Sequence, residues 1–439
     1  MLIVLRTSWP LLLGMMLLMV GNGMQGTLLG IRGGLEGFSA AQMSVVTSAY
    51  FLGFLFGSRL TPGLIRSVGH VRVFAALGSL ISAVLILYAA APDWLVWTAM
   101  RVFMGFAFAG VYITAESWLN DASSNETRGQ ALSLYMITQM IGIVTAQGMM
   151  NLGDPSGFIL FVIPSVLVSL SFTPILLTAG QAPAFELTKP LSFIDLYRAS
   201  PLGIIGMFLL GGVFSAQFGM AAVWGSEAGL SVRDISIFIA AIYVGGMVLQ
   251  YPIGWVSDRM DRRQLILALA VAGALTMVLP VVADPGFALL VAVGFALGGV
   301  TNPLYSLILA YVNDYLDPSD MPAASAGLVF INGLGAIGGP LITGWMMGQI
   351  GPAGFFLFIG VLYVVLAIYA GWRMTQRAAP SPDETSGYAM VMPSASVVAV
   401  EAVIEATHEE TEDEPALGWG DRDAVDPESD AAADRERNP

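Results

Sequence analysis

Twelve apolar segments of membrane-spanning length follow one another along the chain, at roughly 9–30, 41–65, 73–92, 94–118, 129–151, 156–179, 201–225, 234–256, 264–283, 286–312, 323–348 and 352–374. Backbone in lipid has no water to bond, so it must close its own hydrogen bonds as helix or barrel, and these runs are too long for barrel strands. The expected fold is therefore all-α: a polytopic membrane protein with twelve transmembrane helices. A soluble fold is excluded, because 56% of the 439 residues are hydrophobic, more than one core hides from water. The first run, Trp9 to about Gly30, follows a lone base, Arg6, exceeds a signal-peptide core and lacks a cleavage-like small-residue site. It reads as a retained first helix.

The net charge of −14 is local. Residues 377–439 hold 16 of the 32 acids and 4 of the 18 bases, so the body is near neutral and nothing in it points to a nucleic-acid partner. With no cysteine and its two histidines, His70 and His408, in polar segments, the chain offers no thiolate or histidine metal site within the membrane. An even number of spans returns both ends to one side. Arg6, Arg59, Arg66, Arg72, Arg128, Lys189, Arg198, Arg259, Arg262, Arg263 and Arg373 fall at one set of loops, and only Arg32 and Arg233 fall opposite. Positive-inside asymmetry makes both termini cytoplasmic in a bacterial inner membrane. The acidic tail, 376–439, is expected to be disordered.

An internal repeat sets the organisation. "GFSAAQMS" (37–44) returns as "GLSVRDIS" (229–236), a shift of 192 that also places Gln25 on Gln217 and Gly53 on Gly245. With one residue added, Tyr112 and "ND" (120–121) fall on Tyr305 and "ND" (313–314). The chain divides into a six-helix bundle (1–179), a cytoplasmic linker (180–199), a second six-helix bundle (200–375) and the tail. Two pseudo-equivalent bundles with a site at their interface are the architecture of a rocking transporter.

The stretch "GWVSDRMDRR" (254–263) puts five charges between two oily runs. It resembles the major facilitator superfamily loop motif Gly-x-Leu-Ala-Asp-Arg-x-Gly-Arg-Arg in Gly254, Asp258, Arg259, Arg262 and Arg263, departing at Val256 and Asp261. A carboxylate there can dock on a neighbouring helix N-terminus while arginines pair with nearby acids. The first-half equivalent, "PGLIRSVGHVR" (62–72), keeps Gly69 but has Arg66 where the acid should be. Since the loop after helix 10 carries Asp314, Asp317 and Asp320, Arg66 or Arg72 is expected to clasp it with opposite sign. Together with "SAYFLGFLFGS" (48–58) and "MRVFMGFAFAGVYITAESWLNDASSNETRGQALSLYM" (100–136), these phrases resemble the YcaD-like branch of that superfamily over residues 8–375. The resemblance implies the major facilitator fold and transport.

Glu116 is the carboxylate placed well inside a span, about one turn from the cytoplasmic end of helix 4. It could exchange protons as access alternates, or pair with Arg72 or Arg128 at the rim. Arg101, in the same helix, resembles the superfamily's helix 4 Arg-x-x-x-Gly. It lies fifteen residues from Glu116, about 22 Å along a helix, so the two cannot pair directly. A buried guanidinium then needs acceptors, an anionic ligand or a place in the proton path. Asn22, Gln25 and Gln217 lie near mid-membrane and should face helices or a wet cavity. Tyr112, Tyr135, Gln139, Tyr243, Gln250, Asn302, Tyr305 and Asn332 are further cavity candidates that could equally be interhelical glue.

The expected function is proton-coupled secondary transport of a small organic solute by a monomer in the lipid bilayer, without cofactor and without enzymatic activity. A multidrug efflux antiporter is the first rival, disfavoured because "QMIGIVTAQGMM" (139–150) lacks the Gly-Pro element of many such exporters. A copper(I) importer using Met15/Met19 and Met136/Met140 is the second, weakened by the chance pairing that 23 methionines allow. The third is a non-transporting sensor signalling through the tail. No Gly-x-x-x-x-Gly-Lys loop is present to drive transport with ATP.

Overall fold

The computed structural model describes residues 2–121, 123, 125–178, 192–283, 286–317, 320–376 and 387–413. All regular structure among them is helical. The first half contains α1 (Leu2–Leu35), α2 (Ala40–Val68), α3 (His70–Ala90), α4 (Trp94–Asp121), α5 (Asn125–Met149) and α6 (Ile159–Thr178). A short α7 (Phe193–Ala199) leads into the second: α8 (Pro201–Gly219), α9 (Ala221–Glu227), α10 (Val232–Ser257), α11 (Arg262–Val282), α12 (Phe287–Asn313), α13 (Met321–Ile350) and α14 (Ala353–Met374). Last comes α15 (Val397–Asp413).

Among the described residues, eleven helices are long and apolar enough to cross a membrane. The twelfth expected span, α5, has 25 residues but too polar a sequence to qualify on composition. Its Gln147 is satisfied inside the protein, where its Oε1 accepts from Thr27 at 2.9 Å. The seventh span is broken at Met220 into α8 and α9, where the sequence reads as one continuous apolar run. Most of the linker, 180–191, lies outside the described residues.

The repeated octapeptide is a helix start used twice. Gly37 and Gly229 sit at φ 78° and 72°, a left-handed turn that favours glycine. Two residues on, Ser39 caps α2 by accepting from Gln42 N, and Ser231 caps α10 by accepting from Asp234 N. The duplication extends to the packing. A Cβ on Gly53 would stand 2.0 Å from the Val102 carbonyl oxygen, and one on Gly245 would stand 1.9 Å from that of Phe295. These are the same crossing, α2 on α4 and α10 on α12, at the repeat's own shift.

A bulky side chain at such a crossing must push two helix backbones apart. Gly245→Val is expected to lower the midpoint of thermal unfolding by several degrees, whereas Val at the open Gly148 should leave it unchanged. A fluorescence melt of the purified variants reads this directly, and equal midpoints would show that the crossing tolerates bulk.

The two bundles meet at the face opposite the start of α1. There Ser48 Oγ donates to Ile337 O at 2.8 Å and Thr47 Oγ1 to Gly219 O at 3.4 Å, while Gly30 packs on Ala222. Farther along α2 and α13 they meet again, with Arg59 4.2 Å from the centre of the Phe330 ring.

The tail differs from the expectation of disorder. Residues 387–396 run as an irregular segment between the bundles and continue into α15, which packs on α4, α5 and α13. Val391, Ala399 and Val400 are each 1% exposed or less, so this part of the tail is held by apolar burial. Residues 377–386 and 414–439 lie outside the described residues.

Candidate functional site

A cavity of about 770 Å³ lies between the bundles. The first half lines it with Asn22, Gln25, Tyr50, Phe54, Arg101, Tyr112 and Gln147, and the second with Phe214, Phe218, Tyr243, Asn302 and Asn332. Its walls are mainly apolar, with a few amides and two guanidiniums, Arg59 and Arg101, the composition of a pocket that orients a solute by a small number of polar contacts.

Arg101 is 5% exposed and opens the main polar chain. Its Nη1 donates to Gln25 Oε1 at 2.6 Å, Gln25 Nε2 donates to Asn22 Oδ1 at 3.1 Å, and Asn22 Nδ2 donates to the Tyr112 oxygen at 3.1 Å. Tyr112 OH in turn donates to the Met19 sulfur at 3.3 Å. The guanidinium also lies 4.8 Å from the centre of the Tyr50 ring. Its Nε is buried without a hydrogen-bond partner, and no carboxylate among the described residues is within ion-pair distance of it.

Glu116 stands one helical turn beyond Tyr112 and is 1% exposed. Tyr135 OH donates to its Oε1 at 3.1 Å, and Ser396 of the tail donates to its Oε2 through both the backbone N–H, at 3.2 Å, and the hydroxyl. The expected rim partners are elsewhere. Arg128 binds Glu405 of α15 at 2.7 Å, and Arg72 is exposed. Arg101 and Glu116 are thus linked in part through α1, a sideways connection that their 15-residue separation conceals.

The Gln25 and Gln217 pair does not act as a matched pair on the cavity. Gln217 is fully buried with its Oε1 2.6 Å from the Thr301 hydroxyl, which lies 2.7 Å from Tyr363 OH. Its Nε2 has no partner. Tyr135, Gln139, Gln217, Gln250 and Tyr305 are not part of the cavity wall, whereas Asn22, Gln25, Tyr112, Tyr243, Asn302 and Asn332 are. Gln250 instead donates to Ser306 at 2.8 Å, and Asn332 combines a place in the wall with a bond to Met207 O at 3.2 Å. Of the four paired methionines only Met140 reaches the wall.

Sequence reasoning missed the aromatic wall and the tail. Tyr50/Phe54 and Phe214/Phe218 are each four residues apart, spacing that puts both rings of a pair on one helix face, and Phe218 packs on Tyr243 with ring centres 4.5 Å apart. Met392, Ala395, Ser396 and Val398 of the tail complete the lining.

The charged loop after α10 works within the second bundle. Arg262, 4% exposed, binds Asp314 at the end of α12 and reaches Asp258 at 3.4 Å. Arg263 pairs with Asp261 at 2.7 Å, and Arg259 lies over the Trp255 ring at 4.1 Å. Asp258 does not dock on a helix N-terminus: its Oδ1 accepts from Tyr388 N at 3.0 Å, and the Tyr388 ring lies against Gly254, where a Cβ would meet it at 2.6 Å. Burial pushes the Asp258 carboxyl above its ordinary range, against the pull of Arg262. Among the described residues the expected clasp from Arg66 or Arg72 is not formed: Asp314 is committed to Arg262, and Arg66, Arg72, Asp317 and Asp320 are all exposed. Gly69, at φ 87°, makes the turn between α2 and α3.

The Major Facilitator Superfamily profile matches residues 11–246 and 202–403. The chain belongs to the Major Facilitator Superfamily. Within it the YcaD-like branch is the right place. The chain is 25% identical over 361 residues to the uncharacterised MFS-type transporter YfkF of Bacillus subtilis (strain 168), covering 80% of this chain and 90% of that protein. It is 25% identical over 362 residues to the uncharacterised MFS-type transporter YcaD of Escherichia coli (strain SMS-3-5 / SECEC), covering 81% and 92%. The superfamily fold is shared with the crystal structure of the nucleoside transporter NupG, at TM-score 0.66 and 15% identity over 84% of this chain and 99% of that one. It is shared too with a bacterial homologue of the human lysosomal transporter Spinster in an inward-facing and unoccupied conformation, at TM-score 0.62 and 14% identity over 91% and 97%.

Proposed function

We propose that this secondary transporter carries a small organic solute through the cavity between its bundles by alternating access, in exchange with or alongside protons that bind at Glu116. The observation that supports this reading most is the polar chain from Arg101 through Gln25 and Asn22 to Tyr112, set in the cavity wall and ending one turn from Glu116. A buried guanidinium with a free Nε and no carboxylate partner offers an anchor for an anionic or strongly accepting group. The Tyr50, Phe54, Phe214 and Phe218 rings suit an apolar or aromatic body beside it. The solute of this reading is therefore an organic acid or similarly polarised molecule. Asn22, Gln25, Tyr112, Tyr243, Asn302 and Asn332 are assigned to its cavity.

The closed face is the periplasmic one on the positive-inside reading, and the chain ends are cytoplasmic. One chain contains both halves of the path, which makes the monomer the transporting unit. A thermal-shift screen of the purified protein against organic acids and neutral metabolites, at two pH values, identifies the solute, and reconstitution into liposomes with an imposed pH gradient tests coupling. Glu116→Gln is expected to abolish gradient-driven uptake while sparing solute counterflow, since a neutral amide can still bond Tyr135 and Ser396 but cannot carry a proton. Undiminished gradient-driven uptake in that variant would remove Glu116 from the mechanism.

A further inference from the structure

Residues 387–405 cross from one bundle to the other beside the cavity, and Met392–Val398 form part of its wall. Tyr388 binds the second bundle through its N–H to Asp258 and its hydroxyl to Pro303 O at 3.3 Å. Val391 binds it through both backbone groups to Ser306, at 3.0 and 2.9 Å. Ser396 then bonds Glu116, and Glu405 pairs with Arg128, both of the first bundle. Between these anchors Val391, Ala395 and Val400 are buried.

We infer that this segment is a built-in peptide ligand of the transporter, a tethered plug that occupies the inward mouth of the solute path and is wedged between the two bundles there. The inference rests on the transport path proposed above. Three consequences follow from its position. Solute moving between the cavity and the near face must pass Met392–Val398, which form part of the wall together with Arg59, Phe193 and Ile194. The bundles cannot close at this end to open the other, because the space their inner ends would occupy is filled. Glu116 cannot exchange a proton with the near side while Ser396 covers it. A transport cycle therefore requires the plug to leave, and its retention is an off state. The motif residues Gly254 and Asp258 have a specific part in this: the glycine leaves room for the Tyr388 ring and the carboxylate takes its N–H.

The absence of cysteine makes an accessibility test clean. Gly26 lies in the cavity wall with nothing within 4 Å of where its Cβ would be, so Gly26→Cys adds one thiol facing the cavity. The rate at which purified Gly26→Cys protein reacts with a bulky maleimide measures how often the mouth is open, and it needs no solute. Two changes are compared in that background: a stop after Gln376, and the full-length double variant Val391→Asp/Val400→Asp, which puts charge at two buried tail positions. Each is expected to raise the labelling rate about tenfold or more, corresponding to a plug seated by at least about 1.4 kcal/mol. If the shortened chain does not fold, the full-length variant decides. An unchanged rate in a variant that remains folded by gel filtration overturns the plug, and it does so whether or not Glu116 couples protons. Faster labelling with no transport of any tested solute would uphold the plug and count against the proposed function instead.

Discussion

Asp314→Leu should destabilise the second bundle by about 3–5 kcal/mol, and adding Arg262→Met should restore most of that loss. The reason is burial on both sides of the pair: the Arg262 side chain is 3% exposed and the Asp314 side chain 2%. Removing the acid leaves a guanidinium in a place without water, with Asp258 at 3.4 Å a weaker substitute. Replacing both partners with apolar groups of similar size removes the stranded charge along with the attraction. Unfolding of the single and double variants in a denaturing detergent titration reads the two energies. A double variant no more stable than Asp314→Leu would mean that loss of the acid does not strand the guanidinium, its bonds to the Ser257 hydroxyl and the Ala310 carbonyl sufficing.

Arg101→Leu is expected to act on binding rather than on folding, on the proposed solute site. If the solute carries a carboxylate or comparable acceptor, losing the guanidinium should weaken its binding by about 1.5–3 kcal/mol, roughly tenfold to a hundredfold in Kd. The thermal midpoint without solute should fall less than for Asp314→Leu, because the groups around Arg101 are uncharged: Gln25, the Tyr50 ring and Tyr88. Arg101→Lys should recover only part of the affinity, since a point charge cannot keep Gln25 and present a second donor in one plane. Titration calorimetry with the solute found by screening measures all three proteins. An unaltered Kd in Arg101→Leu would place the solute elsewhere in the cavity.

The spans were legible because apolar length alone forces helix in lipid, and the duplication was legible because each octapeptide copy encodes the same turn and cap. Gly37, Ser39 and Gln42 at one site, and Gly229, Ser231 and Asp234 at the other, are local signals that no packing overrides. The lateral chain from Arg101 to Gln25 was not legible, since the distance between two helices is not written in either. The Arg66 clasp failed for a related reason: the sign rule named Asp314 as available, while Arg262, one helix away, had the shorter path to it. The tail was misread because its composition was averaged over 376–439. Between Gly387 and Ile404 it carries a single charge, Glu401, and the acids cluster after it. A shorter window would have shown an apolar segment, and burying Val391 and Val400 contributes about 1.5–3 kcal/mol each toward seating it.

The glycine crossings have a mechanical consequence. Where α2 meets α4 and α10 meets α12 with no side chain between them, each bundle resists sliding of one helix along another and behaves as a stiff lever. On the proposed alternating-access cycle, reorientation is expected to be a tilt of whole six-helix blocks. Amide hydrogens in the middle of these helices should exchange equally slowly whichever side is open, with the change confined to the break at Met220 and to the surfaces where the blocks touch.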